Sequence, residues 1–512
     1  MPSLKPKASE PVLAGMRASR QPAHRMHILL AASELHPWSK TGGLADAVAA
    51  LGQALARAGC RVTMVTPLYR GIRARAEKLG GLVDAGWPFS VPLGATLMDG
   101  RFWKLQPEPN LEIWFVENDG YYDRAGIYNE AHLEYPDNAE RFLFLSKAAL
   151  LLARHLPDPP ELIHAHDWQA GLIPLLVRHG SLQEGWVRAP KTIFTIHNLA
   201  YQGTFPLATW AQTNVPPAWL HLDSASHYNQ VSFLKAGLTL ADALSTVSPT
   251  YAREICTPEY GCGLDGLLRR RSHDLVGILN GVDYGEWNTT RNPALGAHFD
   301  ADHLAGKALV KAALQKELGL PVRADLPLFT NITRLTDQKG ADLLLEALIA
   351  ELPGGRFQFA LLGSGDAELE AEYRQLALDF PHQVAARIGF DPALAHRLEA
   401  AADFYVMPSR FEPCGLNQMY SLRYGAVPIV RATGGLQDSV VDPREDLELA
   451  NGIKFHEASS TALAAALRKA LALYAVPEGL AHFRANGMTA DHSWDQAAIQ
   501  YLAMYEDVLH GP

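Results

Sequence analysis

The sequence predicts two successive α/β domains, each built on a doubly wound parallel sheet, on three observations. Short apolar runs alternate with helically spaced ones in two series, the first from residue 26 and the second from about residue 275. A length of 512 residues suits two or three domains at roughly 150 residues each. The unusual polar residues fall just past the apolar runs, at the carboxyl ends of the strands, where open sheets of this kind hold ligands. They are Ser33-Glu34, His166-Asp167, His197-Asn198, Asn280, Arg334, Gly363-Ser364-Gly365 and Arg410-Phe411-Glu412.

Taken in order, residues 1–25 are basic and rich in Pro and Ala, with Glu10 the single acid and no apolar core for a secretion signal. A disordered tail is expected, with an organelle transit peptide as the alternative. "HILLAAS" (27–33), a helically spaced run closed by glycine (43–59) and "RVTMVTP" (61–67) then form a βαβ unit. Buried-strand candidates follow at 162–167, 191–198 and 243–249, with helices at 139–155 and 231–242. The second series starts at "LVGILNGVD" (275–283) and runs through 328–335, 358–365, 385–390, 403–409 and 427–433. The expected domains are therefore 26–270 and 271–490, followed by a terminal segment, 491–512. Its "WDQAAIQYLAMYEDVL" (494–509) reads as an amphipathic helix.

Composition narrows the partners. A formal charge of −10 and a pI near 6.1 argue against a general nucleic-acid binder, which carries a basic face. No uninterrupted apolar run reaches the ~20 residues that cross a bilayer. Cys60, Cys256, Cys262 and Cys414 include no C-x-x-C pair, so they make neither a disulfide framework nor a zinc knuckle. A reducing compartment, the cytoplasm, is expected.

Three clusters carry possible chemistry. Lys40-Thr41-Gly42-Gly43 stands where a strand gives way to a helix; its spacing fits neither a Walker A loop nor the dinucleotide fingerprint. Alone it reads equally as a plain turn or as a socket for an anion at a helix start. In "NITRLTDQKGADLL" (331–344), Arg334 and Lys339 lie in a loop ahead of a helix, a fork and a compact charge suited to a diphosphate. The alternative is a solvated loop. In "MPSRFEPCGLNQMYSLRYG" (407–425), Glu412 is placed either to take sugar hydroxyls and oppose positive charge or simply to favour a helix start, while the Gly415 and Leu416 amides can donate to a ligand. A metal held by His164, His166 and His197 lacks a carboxylate-supported ligand set, and Cys414 has no evident base that would make it a nucleophile.

Together these stretches resemble the bacterial glycogen synthase and plant starch synthase family, glycosyltransferases of the GT-B fold, in which two Rossmann-like domains face a deep cleft. The matching motifs are "SKTGGLADAV" (39–48), "HAHDWQAG" (164–171), "TIHNLAYQG" (195–203), "STVSPTYARE" (245–254), "LNGVD" (279–283), "TRLTDQKG" (333–340), "SRFEPCGLNQMYSLRYG" (409–425) and "RATGGLQDSV" (431–440). The resemblance implies retaining transfer of glucose from ADP-glucose to the non-reducing 4-hydroxyl of an α-1,4-glucan, with neither metal nor cofactor. It implies that Lys40, Gly42, Gly43 and Asp46 approach the donor from the first domain. Arg334 and Lys339 would hold the diphosphate from the second. Glu412 with Cys414, Gly415 and Leu416 would bind the transferred glucose, and the main chain at Asn417 would approach the diphosphate. His197 would cover the reacting face, with Asp167, Asn198, Asn280 and Tyr128 around the sugar or acceptor. The terminal helix would cross back to the first domain.

Three positions depart from the family pattern. Tyr420 stands eight residues after Glu412, where broader relatives of the fold carry a second glutamate, which suits the glycogen synthase branch. Gln169 replaces an expected histidine, and Phe390, near the adenine by resemblance, replaces a tyrosine, keeping stacking and losing a phenolic hydrogen bond. The other readings are a UDP-glucose-using or other-acceptor GT-B transferase and a catalytically silent glucan-binding protein; intact Lys40, His197, Arg334, Lys339 and Glu412 count against the last. Oligomeric state stays open.

Overall fold

The computed structural model describes residues 25–78, 80–131, 133–180, 186, 188–220 and 224–511. The basic tail expected at 1–25 lies outside them, apart from Arg25.

Nine strands form the first sheet: β1 (His27–Ala31), β2 (Arg61–Pro67), β3 (Val83–Leu93), β4 (Thr96–Glu108), β5 (Leu111–Glu117), β6 (Leu162–His166), β7 (Lys191–Ile196), β8 (Ala243–Thr246) and β9 (Leu275–Gly277). Their order is β9-β8-β7-β6-β1-β2-β5-β4-β3. From β9 to β5 every neighbour is parallel. The part from β9 to β5 is the parallel sheet expected, and β3 and β4 extend it with an antiparallel ribbon on β5. One expectation is corrected: Leu275–Gly277, expected to open the second series, pairs with β8 and closes the edge of the first sheet. A three-residue apolar run carries no information about which neighbour it joins.

The second sheet has six strands: β10 (Leu328–Leu335), β11 (Gln358–Gly365), β12 (Val384–Ile388), β13 (Phe404–Met407), β14 (Val427–Arg431) and β15 (Ile453–Phe455). All neighbours are parallel, in the order β12-β11-β10-β13-β14-β15. Strands covered on both faces need apolar residues at every position, and β1 is buried at all five of its residues. In both sheets the order reverses beside one strand, β1 against β6 and β10 against β13. Chain segments leave such a point in opposite directions and open a crevice at the strand ends.

Six helices matter for the site: α1 (Gly43–Arg57), α2 (Pro249–Glu254), α3 (Pro392–Ala401), α4 (Asn417–Arg423), α5 (Gly434–Ser439) and α6 (Trp494–His510). Helix α1 buries Leu44, Val48, Leu51 and Leu55, spaced at three and four residues, against the first sheet. The terminal helix α6 packs along α1 and sinks Trp494, Ala497, Ala498, Tyr501 and Tyr505 into the first domain's core. The chain thus leaves the second domain and returns to the first, with Val282 bridging Ser493 at the crossing.

The domains also touch through α2 and α5. Thr250 donates to Asp438 from both its amide and its hydroxyl, each at 2.6 Å. The Glu254 carboxylate accepts from the Thr433 hydroxyl at 2.9 Å and the Gly434 amide at 3.0 Å. Ser248 donates to the carbonyl of Pro413 at 2.6 Å.

Candidate active site

A cleft of about 720 Å³ separates the two sets of strand ends and is lined from both domains. A narrower recess of about 170 Å³ lies against the second domain, between Asn331, Thr333, Arg334, Met407 and Asn417. Of the residues singled out in the sequence, Gly42, Gly43, Tyr128, Asp167, His197, Asn198 and Asn280 form the first-domain wall. Arg334, Lys339, Glu412, Cys414, Gly415, Leu416 and Asn417 form the opposite one.

Three are placed elsewhere. Lys40 is half exposed and its Nζ lies 2.7 Å from Asp46 Oδ2, so these two residues neutralise each other outside the cleft wall. Phe390 is 89% exposed on the second domain and does not line the cleft. Lys40 and Asp46 are six residues apart, across the turn into α1, which brings the ammonium onto the helix's first-turn acid.

Glu34, noted among the polar residues past the strands but assigned no role there, organises the first wall. It is 2% exposed at the end of β1. Its carboxylate accepts from the Thr41 amide at 2.5 Å, the Thr41 hydroxyl at 2.7 Å, the Gly42 amide at 3.3 Å and the Tyr128 hydroxyl at 2.6 Å. The amides expected to wait for an anion at Thr41 and Gly42 are therefore occupied by the protein's own carboxylate. What remains for a ligand is the first turn of α1, whose N–H groups have no intrahelical partner. A carboxylate just past a short apolar run was the available signal. Gly42 and Gly43 need no special backbone angle, and a Cβ on either would meet nothing of the protein within 4 Å. Their lack of side chains keeps open space in front of the turn.

On the second wall two glycines are required by geometry. Gly340 has φ +65° and a Cβ there would stand 2.3 Å from the Pro408 carbonyl; Gly415 has φ +71° and a Cβ would stand 2.5 Å from Gln418 Oε1. These tight passages fix Lys339 beside Glu412. Lys339 Nζ is 2.5 Å from Glu412 Oε2, and the Ser409 hydroxyl donates to the same oxygen at 3.0 Å. Arg334, at the end of β10, is exposed and has no ion-pair partner among the described residues. Asn417 opens α4 and donates its side-chain amide to Ile332 and Tyr405 at 2.8 and 2.7 Å, which ties the helix start to β10.

Asp167 takes φ +56°, a strained angle for a residue with a side chain, and accepts the His197 amide at 2.7 Å. Burial raises its carboxyl to about 7 against the lowering effect of that bond. Burial also holds His197 down at about 3, so its ring is neutral. The nitrogens of His164 are committed to the Tyr505 and Thr195 hydroxyls, and His166 Nδ1 faces His197 Nε2. This hydrogen-bonded arrangement does not converge on a point where a metal would sit.

A cleft between two doubly wound domains, with cations and a carboxylate facing a neutral histidine wall, defines a glycosyltransferase of the GT-B fold. Residues 27–270 match the family model described as starch synthase catalytic domain, and residues 318–488 match glycosyl transferases group 1. A glycogen synthase of Anaeromyxobacter dehalogenans is 47% identical over 487 residues, covering 95% of this chain and 100% of its own. One from Syntrophotalea carbinolica is 45% identical, covering 94% and 99%. The solved catalytic domain of starch synthase IV from Arabidopsis thaliana, bound to ADP and acarbose, superposes with a TM-score of 0.85 at 32% identity, covering 95% of this chain and 100% of that one. The chain belongs to the glycogen synthase and starch synthase family.

Proposed function

We propose that this enzyme elongates glycogen, transferring glucose from ADP-glucose to the non-reducing 4-hydroxyl of an α-1,4-glucan with retention of configuration and without a metal. The observation that carries the reading is the Lys339–Glu412 pair beside exposed Arg334 on the cleft wall. A departing ADP needs its charge balanced; Arg334 and Lys339 supply two cations at the strand ends, the task that a metal performs elsewhere. Glu412, already hydrogen-bonded to Ser409, lies where it can steady the glucose and oppose an oxocarbenium-like charge.

Transfer proceeds on one face of the sugar. The bond from C1 to the diphosphate oxygen breaks as the bond from C1 to the acceptor oxygen forms, and the acceptor's proton passes to the departing oxygen. No covalent sugar on Glu412 is required. Retaining glycosidases place a second carboxylate about 5 Å from the first, whereas among the described residues Glu412 is the only carboxylate on the second wall of the cleft. The glycogen synthases named above are bacterial and none of the described helices is long and apolar enough to cross a membrane; we place the enzyme in the bacterial cytoplasm.

The test supplies radiolabelled ADP-glucose or UDP-glucose with glycogen or maltooligosaccharide primer. Incorporation from ADP-glucose, well ahead of UDP-glucose, is expected. Incorporation only from UDP-glucose would overturn the nucleotide, and none from either would overturn the reaction.

A further inference from the structure

His197 lines the cleft and has its Nδ1 without a hydrogen-bond partner among the described residues, yet not buried, while its Nε2 lies 3.1 Å from Nδ1 of His166. Burial lowers both rings far below the ordinary histidine range, so both are neutral. Two neutral imidazoles at this distance share one hydrogen bond, in which one nitrogen carries the proton and the other accepts it. The far side of His166 decides which. Its Nε2 is buried with no hydrogen-bond partner. A proton there would be an orphaned donor, a rarer and costlier arrangement than an unused lone pair. The His166 proton therefore belongs on Nδ1 and is donated to His197 Nε2. His197 must then carry its own proton on Nδ1, the nitrogen the protein leaves free in a residue that lines the cleft.

His166 cannot easily swing away from this task. Its ring lies against His164, with centroids 4.1 Å apart and planes 31° from parallel. His164 is pinned in turn by the Tyr505 hydroxyl of α6 at 2.8 Å and the Thr195 hydroxyl at 2.5 Å, the latter 2.5 Å from Ser245. Hydroxyls donate or accept as needed, so they do not dictate the tautomer of His164. His164 and His166 share one face of β6, two residues apart, and His166 is in register with Thr195 of β7, just before His197.

We infer that His166 is a positioning residue, locking His197 in the tautomer that offers an Nδ1–H donor to a hydroxyl of the bound sugar. The inference rests on the glucosyl-transfer reading for the sugar, while the tautomer itself does not depend on it. The terminal helix takes part through Tyr505, so the segment returning from the second domain helps to hold a cleft residue in place.

Nitrogen-15 NMR of histidine-labelled protein, with a His197→Ala spectrum for assignment, reads the tautomer directly. The expected result is a protonated Nδ1 and a bare Nε2 on His197. His166→Phe keeps the ring volume and loses the donor, whereas His166→Asn places an amide N–H near the lost Nδ1. His166→Phe is expected to lower kcat by about tenfold or more with the donor KM held within about twofold, the pattern of a misdirected histidine. His166→Asn is expected to restore kcat to within about threefold. Protonation of His197 at Nε2 in the wild-type protein would overturn the inference, as would a folded His166→Phe enzyme with unchanged kcat. Should His166→Phe fail to fold, the wild-type spectrum and His166→Asn decide. A protein with the expected tautomer and no transferase activity would overturn the function and leave the tautomer standing.

Discussion

Lys339 and Glu412 are largely buried, with side chains 18% and 8% exposed, and each is the other's counterion until a ligand arrives. Removing one partner of a buried pair strands the other charge, at about 3–5 kcal/mol. Lys339→Ala is therefore expected to lower Tm as well as kcat/KM, the latter by about 100-fold because a cation facing the diphosphate is lost. Full activity with an unchanged Tm would refute that assignment. Gly43 predicts the opposite split. Its Cβ would meet no protein atom within 4 Å and its position begins a helix. Gly43→Ala should hold or raise Tm while raising the KM for donor or acceptor, measured by calorimetry and initial rates. An unchanged KM would mean that no ligand approaches this turn. At this scale the sequence revealed residue types and not their occupation. Thr41-Gly42 was legible as a turn that could be plain or anion-binding, and nothing local announced that Glu34 would fill it or that Lys40 would fold onto Asp46.

Two elements repeat one device. Thr41-Gly42-Gly43-Leu44 opens α1, and Thr433-Gly434-Gly435-Leu436 leads into α5. Each receives a glutamate on its threonine hydroxyl and first glycine amide, Glu34 from within the first domain and Glu254 from across the interface. The second contact, with Asp438 on Thr250, links the domains directly. Asp438→Ala should loosen the contact between the domains, increasing the radius of gyration in solution scattering and raising the donor KM several-fold with little change in Tm. An unaltered KM and radius would show that closure does not use this contact. Helix α3 predicts a pH effect. Glu399 is fully buried, neither carboxyl oxygen has a hydrogen-bond partner, and burial holds its pKa well above the usual range. The folded protein thus keeps a proton that the unfolded chain releases above about pH 4.3. Glu399 is tolerated at low pH, and stability is lost as pH rises from there. Glu399→Gln should melt several degrees higher than wild type at pH 8 and converge with it near pH 4. A constant difference across that range would contradict this.

The whole molecule is a cleft whose two walls come from segments far apart in the sequence, and that separation set what was readable. Alternating apolar runs were enough for two doubly wound α/β domains, because strands covered on both faces must be apolar throughout. Strand ends were enough to gather most of the cleft residues, because a switch in strand order places its crevice there. Partnership was not readable. Leu275–Gly277 joins the first sheet, the β3–β4 ribbon extends it antiparallel, and Phe390 stands exposed away from the cleft. Periodicity reports how a segment is buried and says little about what buries it. The three histidines show the same limit: two alternate residues on a strand were visible, and their linkage through Tyr505 to the last helix was not.

The central claim is that this cleft stabilises glucosyl transfer with its own side chains, Glu412 foremost. The most direct measurement is the initial rate of glucose transfer from ADP-glucose to maltooligosaccharide, in EDTA, by wild type and by Glu412→Ala shown to be folded. The account predicts an active wild type and a loss of at least ~100-fold in the variant. A wild type silenced by EDTA, or a variant that transfers glucose undiminished, would contradict it.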